Sequence, residues 1–128
     1  MTNYAPLGLF IQEGKTLARI NTRTASGNFY MQPNGVFYIS NEKKAEICKT
    51  SDFAGNRNVR FATQSGPMLV VDGEINSLFQ SSSINLNVRN GVGILPNNDV
   101  IFAISKEEIN FYDFAKFFKD KGCKVVDS

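Results

Sequence analysis

The chain has 128 residues, a length suited to one domain built around one hydrophobic core. Hydrophobic residues make up 42% and charged residues 20%, a balance typical of folded rather than disordered proteins. Fourteen Lys and Arg against 12 Asp and Glu give a net charge of +2, too balanced for the dense basic face of a nucleic-acid binder. Histidine is absent, which excludes Ser-His-Asp and Cys-His catalysis and any zinc site that uses His.

The chain carries no signal for insertion into a membrane. No apolar run approaches the roughly 20 residues needed to cross a bilayer, so we expect no membrane partner. Residues 1–4 show neither the basic nor the apolar region of a secretory signal, which predicts a cytoplasmic protein. In that compartment Cys48 and Cys123, which lie far apart in the sequence, are expected to stay reduced and to belong to the core.

Short apolar runs separated by Gly, Pro and Asn fill the first three-quarters of the chain. They predict strands at residues 7–12, 15–21, 36–39, 46–49, 59–64, 68–71, 86–89, 91–95 and 100–105. Turns are predicted at residues 13–14 and 96–99, and at 32–35 between two aromatic runs, because Asn and Gly tolerate a positive φ. Residues 51–58 read as a loop and 78–84 as a polar connection.

One helix is well specified near the end of the chain, over residues 111–121. Phe111, Phe114, Ala115 and Phe118 recur at helical spacing and form an apolar stripe. Asn110 is suited to cap the N-terminus, and the glycine at 122 to end the helix. Many strands and one late helix predict an α+β fold, a mostly antiparallel or mixed sheet with the helix packed on one face. We expect residues 1–128 to form a single domain.

Two polar segments at strand ends are candidates for ligand binding or catalysis. Gln64, Ser65 and Gly66 follow an apolar strand, and Gly66 permits close approach of a ligand to the backbone. The plainer interpretation of that segment is a bulge or tight turn. Asp72, followed by Gly73, is either a hairpin turn or a catalytic or ligand-binding carboxylate.

A third segment combines an arginine with glycines. Arg89 offers a planar fork suited to phosphate or carboxylate, and Gly91 and Gly93 leave backbone N–H groups open to an anion. Asn90 stands between them. A short Gly-x-Gly lacks the strand-to-helix setting of a dinucleotide site, so a surface hairpin is the competing interpretation.

Taken together and in order, these segments resemble the phosphodiester glycosidase domain family. The resemblance is carried by residues 28–29, 33–37, 62–70, 72–73, 89–93, 102–105, 111–115 and 122–123. It implies hydrolysis of a sugar–phosphate link at the anomeric carbon, without a cofactor or a metal. Such a reaction needs donors for the phosphate and a carboxylate to support the sugar cation or activate water.

The resemblance assigns roles to the candidate residues. Asp72 is the expected catalytic carboxylate, with Asp127 a more remote substitute. The expected ligand-binding residues are Gln64, Ser65, Gly66, Arg89, Asn90, Gly91 and Gly93. A non-catalytic protein that binds a phosphodiester sugar or nucleotide-like ligand through residues 89–93 is the alternative function, and a fragment without an independent role is a third.

The chain also departs from the family at both ends. Relative to the family we expect it to lack a segment before residue 1 and the Leu-Asp-Gly segment that follows the Gly-Cys pair, unless residues 126–128 replace the latter. The strand after the helix, expected to be parallel, should then be short or absent. Because a bare strand edge and an uncovered Phe stripe favour pairing with another copy, we expect a homo-oligomer.

Overall fold

The computed structural model describes residues 6–53 and 58–128, so residues 1–4 and part of the predicted 51–58 loop lie outside the described residues. The described chain contains ten strands, one α-helix and two short 3-10 helices. The strands are β1 (Phe10–Gln12), β2 (Lys15–Ala18), β3 (Gly35–Ser40), β4 (Ala45–Lys49), β5 (Val59–Ser65), β6 (Met68–Val71), β7 (Glu74–Ile75), β8 (Asn90–Ile94), β9 (Val100–Ile104) and β10 (Val125–Asp127). The helix is α1 (Phe111–Asp120), and the 3-10 helices are Asn28–Tyr30 and Thr50–Asp52.

The strands form two five-stranded antiparallel sheets. The first sheet has the order β2-β1-β5-β3-β4 and the second β7-β6-β10-β8-β9. Each sheet has its own buried cluster, and helix α1 covers one face of the second sheet. The predicted α+β fold with one C-terminal helix is therefore confirmed, with two sheets instead of one. Among the described helices, none is long and apolar enough to span a membrane.

Most predicted strands are present, and two segments differ. Residues 86–89 form no strand. Asn87 makes an isolated bridge with Ile109, and the Arg89 carbonyl accepts a hydrogen bond from the Ser105 N–H. Asn28–Tyr30 is a 3-10 helix and no hairpin follows it, because β3 takes β4 and β5 as its neighbours. The apolar pattern predicted a strand at residues 86–89, and the turn at 32–35 between two aromatic runs suggested a hairpin, but tertiary pairing decides which segments become paired strands.

Helix α1 forms as its sequence pattern predicts. The Asn110 side chain accepts a hydrogen bond from the Asp113 N–H at 2.7 Å, which satisfies one of the free donors of the first turn. All four residues of the stripe are buried: Phe111, Phe114, Ala115 and Phe118. Beyond the helix, Gly122 has a φ of +100°, the left-handed conformation that ends many helices.

Two glycines of β8 allow this helix to lie close to the sheet. A Cβ on Gly93 would stand 2.8 Å from the Cys123 Sγ, and one on Gly91 would stand 3.1 Å from the Phe118 ring. A side chain at either position would push the helix away from the second sheet. The close packing of the helix on the sheet is thus a direct reason for glycine at both positions.

Strand β10 corrects the expectation for the segment after the helix. It is present, antiparallel to both neighbours, and lies at the centre of the second sheet between β6 and β8. The residues after Gly122 enter the gap between two strands that are not paired with each other, which requires only three residues. Because β10 is paired on both sides and the Phe stripe is buried, the two features from which a homo-oligomer was inferred are not found.

The two sheets meet along one side. The Phe37 and Phe102 rings make an edge-to-face contact, with their centroids 5.9 Å apart. Nearby, the Asn98 side chain both accepts from the Ala45 N–H at 3.1 Å and donates to its carbonyl at 2.8 Å. A turn of the second sheet is thereby tied to the end of β4 in the first.

Substitutions at Asn110 test how the helix is anchored. Asn110→Ala should lower the free energy of unfolding by about 1–2 kcal/mol, since it removes the cap. It also removes the Nδ2 donor to the Ser81 and Ser83 carbonyls. Asn110→Ser keeps a cap acceptor but not these donors and places no charge beside the two carbonyls, so its loss should be smaller. Urea unfolding of both variants measures the difference, and equal losses would show that the cap itself contributes nothing.

Candidate active site

A cavity of about 480 Å³ lies at the junction of the two sheets. The first sheet contributes Phe37, Thr63 and Ser65 to its wall. The second sheet contributes residues 90–92 and 102–104, and the end of the chain contributes Asp127 and Ser128. Its volume lies within the range of small-molecule sites. Among the described residues of the lining there is no lysine or arginine, and the ionisable side chain is that of Asp127.

Asp127 lies at the base of this cavity with 0% of its surface exposed. The Ser65 hydroxyl donates to its Oδ2 at 3.0 Å, and the Ser128 N–H donates to Oδ1 at 3.0 Å. Burial raises the pKa of the carboxyl from 3.8 to about 7, although the two hydrogen bonds act in the opposite direction. A buried carboxyl that is half protonated near neutral pH is typical of acid–base sites.

Ser65 connects this carboxyl to the open part of the cavity. It is the last residue of β5 and is only partly buried, whereas the Asp127 carboxyl beneath it is fully buried. A hydroxyl that donates to Asp127 still has lone pairs with which to accept a hydrogen bond from water or a ligand. The pair can therefore pass a proton between the cavity and the buried carboxyl.

Arg89 is committed to internal contacts. It is 6% exposed, its Nε donates to the Ile109 carbonyl at 2.8 Å, and its Nη2 donates to the Asn85 carbonyl at 2.9 Å. The guanidinium carbon lies 3.6 Å from the centre of the Phe111 ring, a cation–π contact. Arg89 does not line the cavity at the sheet junction. In this structure its contacts anchor the start of the helix to the chain before β8.

The backbone of Gly91 and Gly93 is likewise used within the sheet. Strand pairing places Gly91 opposite Ala103 and Gly93 opposite Ile101. In the same register the Ser105 N–H donates to the Arg89 carbonyl, so residues 89 and 105 form a hydrogen-bonded pair. Since hydrogen-bonded pairs recur every second residue, the amides of both glycines face β9. The prediction that residues 89–93 form an anion-binding site is therefore corrected, because the Arg89 fork and the glycine amides already donate to main-chain carbonyls.

Gln64 and Gly66 hold loops together. The Gln64 Oε1 accepts from the Leu9 and Asn21 N–H groups, each at 2.9 Å. Its Nε2 donates to the Asn21 carbonyl at 2.7 Å and to Thr50 Oγ1 at 3.3 Å. A Cβ on Gly66 would stand 2.6 Å from the Asn34 Cβ, so this glycine is needed for close packing. Neither residue lines the junction cavity.

Asp72 lies in a hairpin turn. Strands β6 and β7 are joined by Asp72 and Gly73, whose φ angles of 51° and 81° are both left-handed. The Gly73 N–H donates to the Lys124 carbonyl at 2.9 Å, which holds the turn against the start of β10. The Asp72 side chain is exposed and does not line the junction cavity. The structure thus places Asp72 as the hairpin interpretation expects.

Of the predicted site residues, the structure brings together Ser65, Asn90 and Gly91 around one cavity. Gln64, Gly66, Asp72, Arg89 and Gly93 do not line it. Sequence reasoning ranked Asp127 below Asp72, although Asp127 is the carboxyl at the cavity. The signal that could have found it is the sequence Val126-Asp127-Ser128, which keeps an apolar residue before the aspartate, as in the family's Leu-Asp-Gly.

The remaining reactive side chains give no second centre. Cys48 and Cys123 are both free thiols. Burial raises the pKa of Cys48 to about 11 and also raises that of Cys123, which disfavours the nucleophilic thiolate. Within residues 6–53 and 58–128, no three Cys, Asp or Glu side chains are grouped so as to hold a metal ion.

The sequence pattern of the phosphodiester glycosidase family, NAGPA, matches residues 1–125. The chain therefore belongs to the phosphodiester glycosidase family. It is 40% identical over 119 residues to the protein YigE of Escherichia coli (strain K12), which covers 93% of this chain and 46% of YigE. The chain thus spans about half the length of that relative. Asp127 lies two residues beyond the end of the family match.

A solved structure shares the fold. It is the catalytic domain of zebrafish N-acetylglucosamine-1-phosphodiester alpha-N-acetylglucosaminidase, auto-inhibited by its pro-peptide. The TM-score is 0.64 at 18% identity, and the match covers 94% of this chain and 44% of the zebrafish chain. At that identity the likeness concerns the arrangement of strands and helix, which agrees with the family membership shown by sequence.

The buried carboxyl predicts how stability depends on pH. The unfolded group ionises near 3.8 and the folded one near 7, so the folded state holds the extra proton between these values. The free energy of unfolding should therefore fall as the pH rises from about 4 to 7, by at most about 1.4 kcal/mol per pH unit. Thermal unfolding across this range measures the slope. Asp127→Asn should flatten it, and the exposed control Asp120→Asn should not.

The contacts of Arg89 predict a structural role. Arg89→Ala should lower the free energy of unfolding by roughly 2–4 kcal/mol, because it removes two charged hydrogen bonds and a cation–π contact. Arg89→Lys keeps the charge without the fork and should lose less. The exposed Arg19→Ala is the control. An Arg89→Ala protein that is as stable as wild type but no longer binds phosphate esters would restore the anion-binding interpretation.

Proposed function

We propose that this protein hydrolyses a sugar-1-phosphodiester at the junction cavity, with Asp127 as the catalytic carboxyl. The observation that carries the proposal is a fully buried carboxyl with a pKa of about 7 at the base of a ligand-sized cavity. Membership of the phosphodiester glycosidase family supports the reaction class. The name of the zebrafish protein refers to a phosphodiester of N-acetylglucosamine, which makes an amino sugar the first candidate for the glycosyl group.

In the proposed reaction, water attacks the anomeric carbon. The bond from this carbon to the phosphate oxygen breaks, and its electron pair leaves with the phosphate. The proton of the attacking water passes to the Ser65 hydroxyl as that hydroxyl gives its own proton to ionised Asp127, along the 3.0 Å hydrogen bond. Phosphate is a good leaving group, so no strong acid is needed. A carboxyl with a pKa near 7 is ionised in part of the molecules at neutral pH.

Neutral donors would bind the substrate. Asn90 is exposed at the cavity wall and offers amide hydrogens, and Thr63 offers a hydroxyl opposite it in the first sheet. Arg89 would act as a positioning residue, since its contacts fix the chain next to Asn90. Because no cation is found in the described part of the lining, the phosphate is expected to lie toward the solvent, with the sugar nearer Ser65.

A non-catalytic binding protein is the second candidate function. Two observations favour it: the Asp127 carboxyl has no exposed surface, and the described residues that line the cavity include no cationic side chain to stabilise a leaving phosphate. Such a protein would hold an intact phosphodiester sugar or nucleotide-like ligand in the same cavity, through Ser65 and Asn90 rather than Arg89.

Incubation with a panel of sugar-1-phosphodiesters, followed by mass spectrometry of the ligands, tests both candidates. We expect cleavage by the wild type and a decrease of about 10²–10⁴-fold in Asp127→Asn, the range for loss of a general base. Asp72→Asn is the matched control, because it removes the same charge from the hairpin turn and should retain activity.

Two results would contradict the proposed function. An inactive Asp72→Asn with a fully active Asp127→Asn would overturn the assignment. Intact ligand that is released only on heating, with no product from any substrate of the panel, would favour the binding protein.

A further inference from the structure

The face of the first sheet that adjoins the site is unusually aromatic. Phe10, Phe37 and Phe61 point to one side of this sheet, because each alternates with a buried neighbour on the other side. Register places Phe10 and Phe37 on either side of Thr63. With Phe102 and Ile104 of β9 as the opposite wall, these residues form what we call the aromatic groove.

The groove is continuous with the proposed active site. A second cavity, of about 300 Å³, lies over Phe10 and Phe61 and is also lined by Phe37 and Thr63. The junction cavity is lined by the same Phe37 and Thr63. A ligand that occupies the site at Asp127 can therefore extend over the first sheet while it stays in contact with the shared lining residues.

The walls of the groove select for an apolar occupant. The described residues that line the second cavity include no charged side chain, and Gln12 and Thr63 are the polar ones. Phe102 and Ile104 are each 73% exposed, and Phe61 is 38% exposed. A contiguous set of large apolar side chains left open beside a site is typical of a binding surface.

The position of the groove indicates which part of a substrate it holds. The polar groups of the site, Ser65 and Asn90, are suited to a sugar and a phosphate, so the apolar extension corresponds to the second ester of the phosphate. We propose that the aromatic groove binds an apolar alcohol esterified to the phosphate, such as an alkyl or isoprenoid chain. The proposal rests on the proposed function in that the sugar–phosphate end occupies the site at Asp127.

Binding of simple alkyl phosphates tests the groove without requiring turnover. Ethyl, butyl and hexyl phosphate are titrated into the protein by isothermal calorimetry. A fully buried methylene strengthens binding by about fourfold, so hexyl phosphate should bind at least about tenfold more tightly than ethyl phosphate. Phe61→Ser and Phe102→Ser should each remove most of that difference. Leu17→Ser replaces an apolar residue outside the groove whose exposure (58%) lies between those of Phe61 and Phe102, and it should keep the difference.

Equal dissociation constants for the three phosphates would overturn the proposal. A dimer in sedimentation equilibrium that Phe102→Ser dissociates would also overturn it, because a second copy would then cover the groove. Comparing the hydrolysis of methyl and hexyl esters of one sugar-1-phosphate separates the two proposals. If both esters are cleaved with equal efficiency, the proposed function stands and the proposal for the groove is wrong. If chain length affects binding but neither ester is cleaved, the proposal for the groove stands and the proposed function is wrong.

Discussion

The structure around the junction of the two sheets depends on the burial of one carboxyl group between them. Asp127 ends a strand of three residues, yet that strand lies at the centre of the second sheet and is paired on both sides. The first sheet approaches so closely that a Cβ on Gly35 would stand 3.0 Å from Asp127 Oδ2. Burial, with no countercharge among the described residues, raises the pKa of this carboxyl from 3.8 to about 7. The hydrogen bond from Ser65 and the raised pKa of the carboxyl both follow from that placement.

Arg89 shows why a side chain's chemistry does not by itself identify its partner. The guanidinium fork that suits a phosphate suits main-chain carbonyls equally well, and here Ile109 and Asn85 supply them. The planar face of its guanidinium stacks on Phe111, so the same residue fixes the start of the helix. Asn90 follows directly and lines the cavity, so the contacts of Arg89 hold the chain next to the cavity wall.

The two proposals concern neighbouring parts of one surface. Ser65 and Thr63 lie two residues apart on β5 and therefore face the same side, with Phe61 next along the strand. A polar end beside Asp127 thus passes into an apolar end over β1 within a single sheet face. This gradient is a property of one alternating strand, and it suits an amphiphilic ester better than a uniformly polar one.

Several features were determined by the sequence alone. The cap at Asn110, the buried stripe and the stop at Gly122 are local signals, because helix ends and periodicity involve residues within a few positions of one another. Strand β6 was predicted with its observed bounds, and the order of motifs was enough to identify the family. Only the tertiary structure decided which of two carboxyls is buried beside a cavity. Asp72 and Asp127 are both short acids at strand ends, and burial by residues more than 60 positions away distinguishes them. Burial of that kind leaves no local pattern in the sequence.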